Sequence, residues 1–143
     1  MKVAIYLVIS LSIFQSSFCQ KTPKAFVDHF FEVYRDKPEQ AVSGLISNNK
    51  WLASAHDEMD TLIQQLTGLT RVLGKYHGFE LTSEKHLGAN LVLFGYLVRY
   101  DRQPLRFFFS FYKPGDEWIP YTFSFDLDFM QELKGEPNSN KIP

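Results

Sequence analysis

The sequence predicts an α+β domain in which two to three helices near the amino terminus pack on a four-stranded antiparallel sheet. Apolar residues recur every three or four positions in the first half of the chain, as they do along the buried stripe of a helix. The second half contains runs rich in aromatic and β-branched residues at 76–85, 91–100, 104–112 and 118–126, each of strand length. Helices that precede an antiparallel meander define the α+β class.

Local signals place the first two helices. Thr22 is a good N-cap, and Pro23 fits the first helical position, where its missing N–H costs nothing. Pro38 ends this helix and can begin a short second helix that runs to Ile46 and stops at a turn at 48–49. The first helix has a wide apolar arc, which indicates contact with both the sheet and another helix.

The longest helix is predicted to begin at Ser54 as its N-cap and to end at Gly74. Its acidic first turns suit the positive end of the helix dipole. His56 and Asp60 lie four positions apart, as two metal ligands on one helix would, but capping and the dipole already explain the acids, and we expect no metal there. Gly68 lies inside the helix, where it costs about 1 kcal/mol relative to alanine, and close approach of another element would explain it.

Hairpin turns predict how the strands pair. A type II turn centred at 114–115 (Pro-Gly) would place Phe109 opposite Tyr121. A turn with its tip at 102–103 would place Tyr96 opposite Phe109. In that second hairpin Arg99 and Arg106 would also face each other, with Asp126 or Glu117 as a neutralising partner.

Because side chains alternate across a strand, the sheet has two predicted faces. The inward face, which the helices must cover, is apolar throughout and consists of Val92, Phe94, Tyr96, Val98, Leu105, Phe107, Phe109, Phe111, Ile119, Tyr121, Phe123 and Phe125. The outward face is mixed and includes Leu91, Leu93, Leu97, Phe108, Tyr112 and Trp118 beside Arg99, Arg106, Thr122 and Ser124.

Composition excludes several classes of function. The chain has 143 residues and a formal net charge of −1, so no basic surface favours nucleic acid. The single cysteine, Cys19, allows no disulfide or zinc cluster in the body of the protein. Phosphate-loop and Ser-His-Asp spacings are also missing, and we expect no cofactor.

The amino terminus predicts export. A short basic start and an apolar run at 3–14, followed by a polar stretch that ends at Cys19, have the pattern of a secretory signal peptide and are too short for a membrane span. We expect a leader at 1–19, one α+β domain at 20–133, a frayed tail at 134–143, and a periplasmic or secreted protein. Acylation at Cys19 is the alternative, but the bulky Phe18 before it argues against a lipoprotein.

The element order and the block FFFSFYKPGDEW at 107–118 resemble the cone-shaped α+β roll of the nuclear-transport-factor and ketosteroid-isomerase superfamily. The resemblance covers residues 22–129. Within the superfamily, the chain is similar in particular to small exported bacterial members without an assigned activity. It implies a curved sheet, a pocket between sheet and helices, and a homodimer through the outer sheet face.

An aromatic-lined pocket predicts binding of a small apolar or amphipathic ligand, or of a partner protein. The candidate pocket residues are Phe30, Tyr34, Tyr96, Phe109 and Tyr121, and the candidates for a dimer face are Leu93, Leu97, Phe108, Tyr112 and Trp118. Ketosteroid isomerase uses an aspartate base, whereas none of the assigned inward positions here is Asp or Glu. We therefore favour a non-enzymatic binding domain. An isomerase- or hydrolase-like enzyme and a homodimeric interaction module remain the alternatives.

Overall fold

The computed structural model describes residues 21–134, so the predicted leader at 1–19 and the tail after residue 134 lie outside the described residues. Four helices come first: α1 (Pro23–Tyr34), α2 (Pro38–Ile46), α3 (Lys50–Ala53) and α4 (His56–Leu73). The strands β1 (Tyr76–Leu87), β2 (Leu91–Tyr100), β3 (Leu105–Tyr112) and β4 (Ile119–Asp126) follow, and then the short α5 (Met130–Leu133). The strands form one antiparallel sheet in the order β1-β2-β3-β4, which confirms the α+β class.

The helix boundaries follow the capping signals at most ends. Thr22 caps α1, and its Oγ1 accepts a hydrogen bond of 3.2 Å from the backbone N–H of Ala25. Gly74 ends α4 with a φ of 91°, a left-handed value that favours glycine. Gly68 has open space around the position of a Cβ, so close approach of another element does not account for it.

Ser54 does not cap the longest helix. Asn49 begins the short helix α3 instead, and the Ser54 hydroxyl donates back to the carbonyl of Trp51 at the end of that helix (2.8 Å). Ala55 therefore holds the N-cap position of α4 without any side-chain hydrogen bond. The serine signal was misread because a hydroxyl can bond to the preceding turn as readily as to the following one.

Both predicted hairpin registers are wrong by two residues. Tyr96 lies opposite Phe107 rather than Phe109, and Phe109 lies opposite Phe123 rather than Tyr121. In the β2–β3 hairpin, Val98 pairs with Leu105, so the midpoint of the connection lies one residue before the predicted tip, and this moves each pairing by two. In the β3–β4 hairpin, Tyr112 pairs with Ile119, one residue from the predicted register, and a bulge in β4 adds the second residue. A shift of two residues leaves each side chain on its face, and the predicted faces of β2 and β3 are therefore kept.

A bulge in β4 changes that strand near its start. Phe111 pairs with Pro120 while the preceding Ser110 pairs with Thr122, which leaves Tyr121 without a partner. Pro120 is buried, whereas Tyr121 is 52% exposed. The bulge has a physical cause, because proline has no N–H to donate to the strand ladder and is found at such irregularities.

The core lies between α1 and the inward face of the sheet. Phe30 packs edge-on against Phe109 with ring centroids 4.9 Å apart, and Phe31 contacts Tyr96 at 5.3 Å. Val27 and Tyr34 complete the buried side of α1. Among residues 21–134, no helix is long and apolar enough to cross a membrane.

Candidate functional site

Four of the five predicted pocket residues come together, but as packed core side chains. Phe30, Tyr34, Tyr96 and Phe109 are all buried. Phe30 stacks on Tyr34 at 5.4 Å, and Tyr96 meets Phe109 edge-on at 5.8 Å. The fifth, Tyr121, is separated from them by the β4 bulge and contacts the outward-facing Tyr112 at 6.2 Å.

The dimer-face candidates also divide. Leu93, Leu97 and Phe108 pair with neighbours on the outward face, and Tyr112 is 41% exposed there. Trp118 packs against the buried core instead, since the register places its neighbour Ile119 opposite Tyr112. The prediction that Trp118 lies on the outward face and Ile119 on the inward face is therefore wrong.

The prediction that two arginines face each other is wrong, because the β2–β3 register differs by two residues from the predicted one. Arg106 lies opposite Leu97, while Arg99 lies opposite Gly78. Asp126 is the partner of Arg106, as predicted, and accepts two hydrogen bonds of 2.9 Å from its guanidinium. This bidentate pair is a structural contact on the outward face.

A concavity lies at the edge of the sheet, between α1 and β1. This α1–β1 groove has a volume of about 720 Å3. Its floor contains Phe31 and Phe79, whose rings stack with centroids 3.9 Å apart and planes 9° apart. Phe31 is buried, but Phe79 is 37% exposed to the groove side. The residues that line the groove are Ala25, Asp28, His29, Phe31, Glu32, Arg35, Tyr76, Gly78, Phe79 and Arg99.

A bulge in β1 positions Arg99 at this groove. The pairing with β2 shifts between Tyr76 and Gly78, and Gly78 has a φ of 128°, a value that side chains rarely allow. A Cβ at Gly78 would lie 2.9 Å from Nη2 of Arg99, so the guanidinium occupies the space of the missing side chain. Nη2 also donates to the carbonyl of His77 at 3.3 Å.

The helical side of the groove carries charges of both signs. Asp28 forms an ion pair with Lys24 at 2.7 Å, and His29 lies 3.6 Å from Glu32. Near the end of α1, Arg35 contacts its neighbour Asp36 at 3.4 Å. Acidic groups therefore precede a basic group along one helix.

Three tyrosine hydroxyls near the basic end of the groove are held neutral. Tyr34 and Tyr100 share a hydrogen bond of 2.6 Å. Burial raises the pKa of both phenols, that of Tyr100 to about 12. Burial also raises the pKa of Tyr76, and the charges of Arg35 and Arg99 act in the opposite direction. Such groups can donate hydrogen bonds but are poor general bases near neutral pH.

His77 and Asp101 form an exposed pair at the end of β1. His77 Nε2 lies 2.5 Å from Asp101 Oδ1, and Asp101 Oδ2 accepts from the backbone N–H of Lys75 at 2.8 Å. Within residues 21–134, no hydroxyl or thiol is bonded to the His77 ring, so no nucleophile completes a catalytic triad here.

Metal binding has no ready site in the described part of the chain. There, no three side chains of His, Cys, Asp or Glu come together closely enough to hold an ion, and this includes the region around His56 and Asp60.

The groove was not predicted from the sequence, although one signal pointed to it. A glycine inside a strand pattern, such as Gly78 between His77 and Phe79, indicates a bulge or a close approach. Its partner across the ladder, Arg99, follows only from a correct register.

Comparison with known proteins adds no identification. No protein-family model, curated protein or solved structure matches this chain. The proposal for its function therefore rests on the geometry of residues 21–134.

Proposed function

We propose that this protein is a non-enzymatic binding domain that holds a small amphipathic molecule in the α1–β1 groove. The observation that carries the proposal is the Phe31–Phe79 stack, an aromatic floor under a concavity of about 720 Å3. Pockets for small molecules commonly have volumes of about 300–1,000 Å3, an apolar lining and a few polar groups that fix orientation. The groove has a volume in this range and an aromatic floor, and half of its lining residues carry charged or imidazole groups that can fix the orientation of a ligand.

Phe79 is the residue whose position most favours a ligand. It is a large aromatic residue on the edge strand β1, and more than a third of its surface is exposed (37%). Its neighbour Phe31 already holds the ring in a parallel orientation. A flat apolar group of a ligand would bury further area on this ring, at about 25 cal/mol per Å2 of apolar surface removed from water.

The chemistry around the groove favours binding over catalysis. Within the described residues, no carboxylate is hydrogen-bonded to Tyr34, Tyr76 or Tyr96, so the acid–base pairing used by an isomerase has no counterpart there. The groove also differs in place from the pocket that the sequence suggested, since the space beneath the sheet is filled by aromatic side chains.

The proposal includes export and membership of the cone-shaped roll superfamily. Export is supported by the signal-peptide pattern at 1–19. Superfamily membership is supported by the order of elements, with helices preceding a four-stranded antiparallel meander.

The neutral fluorescent probe N-phenyl-1-naphthylamine tests the proposal. We expect saturable binding to the wild-type protein and at least about tenfold weaker binding to Phe79→Ser, which corresponds to about 1.4 kcal/mol. Ala25→Trp should also weaken binding, because Ala25 is an exposed lining residue and a large side chain there fills the groove without removing a core contact.

The matched control is Trp51→Ser. Trp51 is 71% exposed and lies outside the groove, so this variant should bind the probe as the wild type does. Circular dichroism establishes that each variant is folded. Equal probe affinity in wild type and Ala25→Trp would refute the proposed site.

A further inference from the structure

We infer that the α1–β1 groove selects organic anions, and that Arg99, together with Arg35, binds the anionic group of the ligand. This inference rests on the proposed function and adds the chemical class of the ligand. It is carried by the position of two guanidinium groups at one end of an aromatic-floored groove.

Arg99 has hydrogen-bond donors to spare at the groove. A guanidinium has five N–H donors. Within residues 21–134, Arg99 uses one nitrogen for the carbonyl of His77 and has no carboxylate partner. The absence of a side chain at Gly78 leaves room for the guanidinium against the backbone of β1. A charged group that is held in place but not neutralised by the fold is suited to an anionic ligand.

Arg35 supplies a second positive charge near the same place. Its carboxylate contact is with the adjacent Asp36 at 3.4 Å, and both side chains are 67% exposed. Exposed pairs of this kind contribute little, so a ligand anion can compete for the guanidinium. Arg35, Arg99 and Tyr76 all line the same groove. Tyr76 adds a neutral hydroxyl donor.

The other end of the groove gives the ligand an orientation. Asp28 lies seven positions before Arg35 in α1, which is about 10 Å along the helix axis at 1.5 Å per residue. The ion pair of Asp28 with Lys24 is as exposed as that of Arg35 with Asp36, so Asp28 would still repel an anion while the arginines attract it. The apolar part of the molecule would then lie on Phe79, between the two ends.

A pair of related probes tests this selectivity. The anion 8-anilinonaphthalene-1-sulfonate carries a sulfonate, whereas N-phenyl-1-naphthylamine has the same fused and pendant rings and no charge. We expect wild type to bind the anion more tightly. Arg99→Gln should lower its affinity about tenfold or more and leave the affinity for the neutral probe within about twofold. Arg99→Lys keeps the charge but loses the planar fork, and its affinity for the anionic probe should lie between those of wild type and Arg99→Gln.

Arg102→Gln is the matched control, because it removes the same charge from an exposed residue that does not line the groove. Measurements at about 0.15 M salt screen long-range attraction. An equal loss of anion affinity in Arg102→Gln and Arg99→Gln would overturn the inference. A different outcome would overturn the inference and leave the proposed function intact. In that outcome Arg99→Gln keeps the wild-type ratio of the affinities for the anionic and the neutral probe, while Ala25→Trp still weakens binding of the neutral probe. Failure of both probes to bind wild type would overturn both proposals.

Discussion

Asn49 connects the helical layer to the sheet, and its removal should destabilise the protein more than its size suggests. The side chain is 5% exposed. Its Oδ1 accepts from the backbone N–H of Trp51 at 2.9 Å and so caps α3, while its Nδ2 donates to the carbonyl of Pro120 at 2.7 Å. Pro120 belongs to the β4 bulge, 71 positions further along the chain. One side chain therefore holds two distant elements together.

The two hydrogen bonds of Asn49 determine how much unfolding free energy its removal should cost. Loss of an N-cap costs about 1 kcal/mol. A buried carbonyl left without a donor, here that of Pro120, costs about 1–3 kcal/mol more. We expect Asn49→Ala to lower the free energy of unfolding by about 2–4 kcal/mol in urea denaturation followed by circular dichroism. Asn49→Ser keeps a capping oxygen but cannot reach Pro120, and it should recover about 1 kcal/mol of this loss.

Asn48→Ala is the control at the adjacent position. Asn48 also donates to a backbone carbonyl, that of Gly44 at 2.7 Å, but it is exposed, and water can replace the bond. We expect a cost of about 0.5 kcal/mol or less. The reasoning would be refuted by an Asn49→Ala cost below about 1 kcal/mol, or by equal costs at the two positions.

Three further predictions concern two glycines and the effect of pH. Gly68→Ala should stabilise the protein by up to about 1 kcal/mol, because this helical glycine has open space where a Cβ would lie. Gly95→Ala should destabilise it, since its Cβ would overlap the hydroxyl of Ser83; opposite shifts of the urea midpoint check both. The hydrogen bond from His77 is the main cause that holds the pKa of Asp101 below its ordinary value of 3.8. The carboxylate thus stabilises the fold above that value and ceases to do so as pH falls through the lowered pKa, so the stability difference between wild type and Asp101→Asn, seen at about pH 7, should shrink as the pH is lowered below 3.8.

Helix ends were predictable where the signal depends on neighbours in sequence. Thr22 with Pro23, and Gly74 with its positive φ, act within one turn of the chain, and the structure places both as predicted. The prediction that Ser54 caps the longest helix was wrong because Asn49, which caps α3, was assigned to a turn. A capping residue shows the end of a helix, but its hydroxyl or amide does not show which of two adjacent helices it serves.

The faces of the sheet were predictable and its register was not. The period of two fixes which side chains share a face, and a shift of two residues, as between Phe109 and its partner Phe123, changes no face. Only a bulge changes the face of a residue. Ile119 and Trp118 exchanged faces because the bulge in β4 inserts a single residue, Tyr121.

The groove proposed as the binding site lies elsewhere than the predicted pocket, for a related reason. Inward tyrosines such as Tyr96 were expected to line a cavity, but alternation alone does not show whether covering side chains fill the space. Phe30 and Phe31 do fill this space. The ring centroid of Phe30 lies 4.9 Å from that of Phe109, and the ring centroid of Phe31 lies 5.3 Å from that of Tyr96. The groove depends on contacts between residues 48 positions apart, Phe31 and Phe79, which no local pattern reports.

The irregularities at the two edges of the sheet have different surroundings, and the proposed binding site lies at β1 rather than at β4. At β4 the bulge turns the Pro120 carbonyl toward Asn49, so that edge is joined to the helical layer. At β1 the shift at Gly78 leaves the edge open and brings Arg99 against it. At β4 the edge is hydrogen-bonded to the helical layer, whereas at β1 the aromatic stack of Phe31 and Phe79 borders the groove. The function proposed here follows from which of the two edges the fold leaves uncovered.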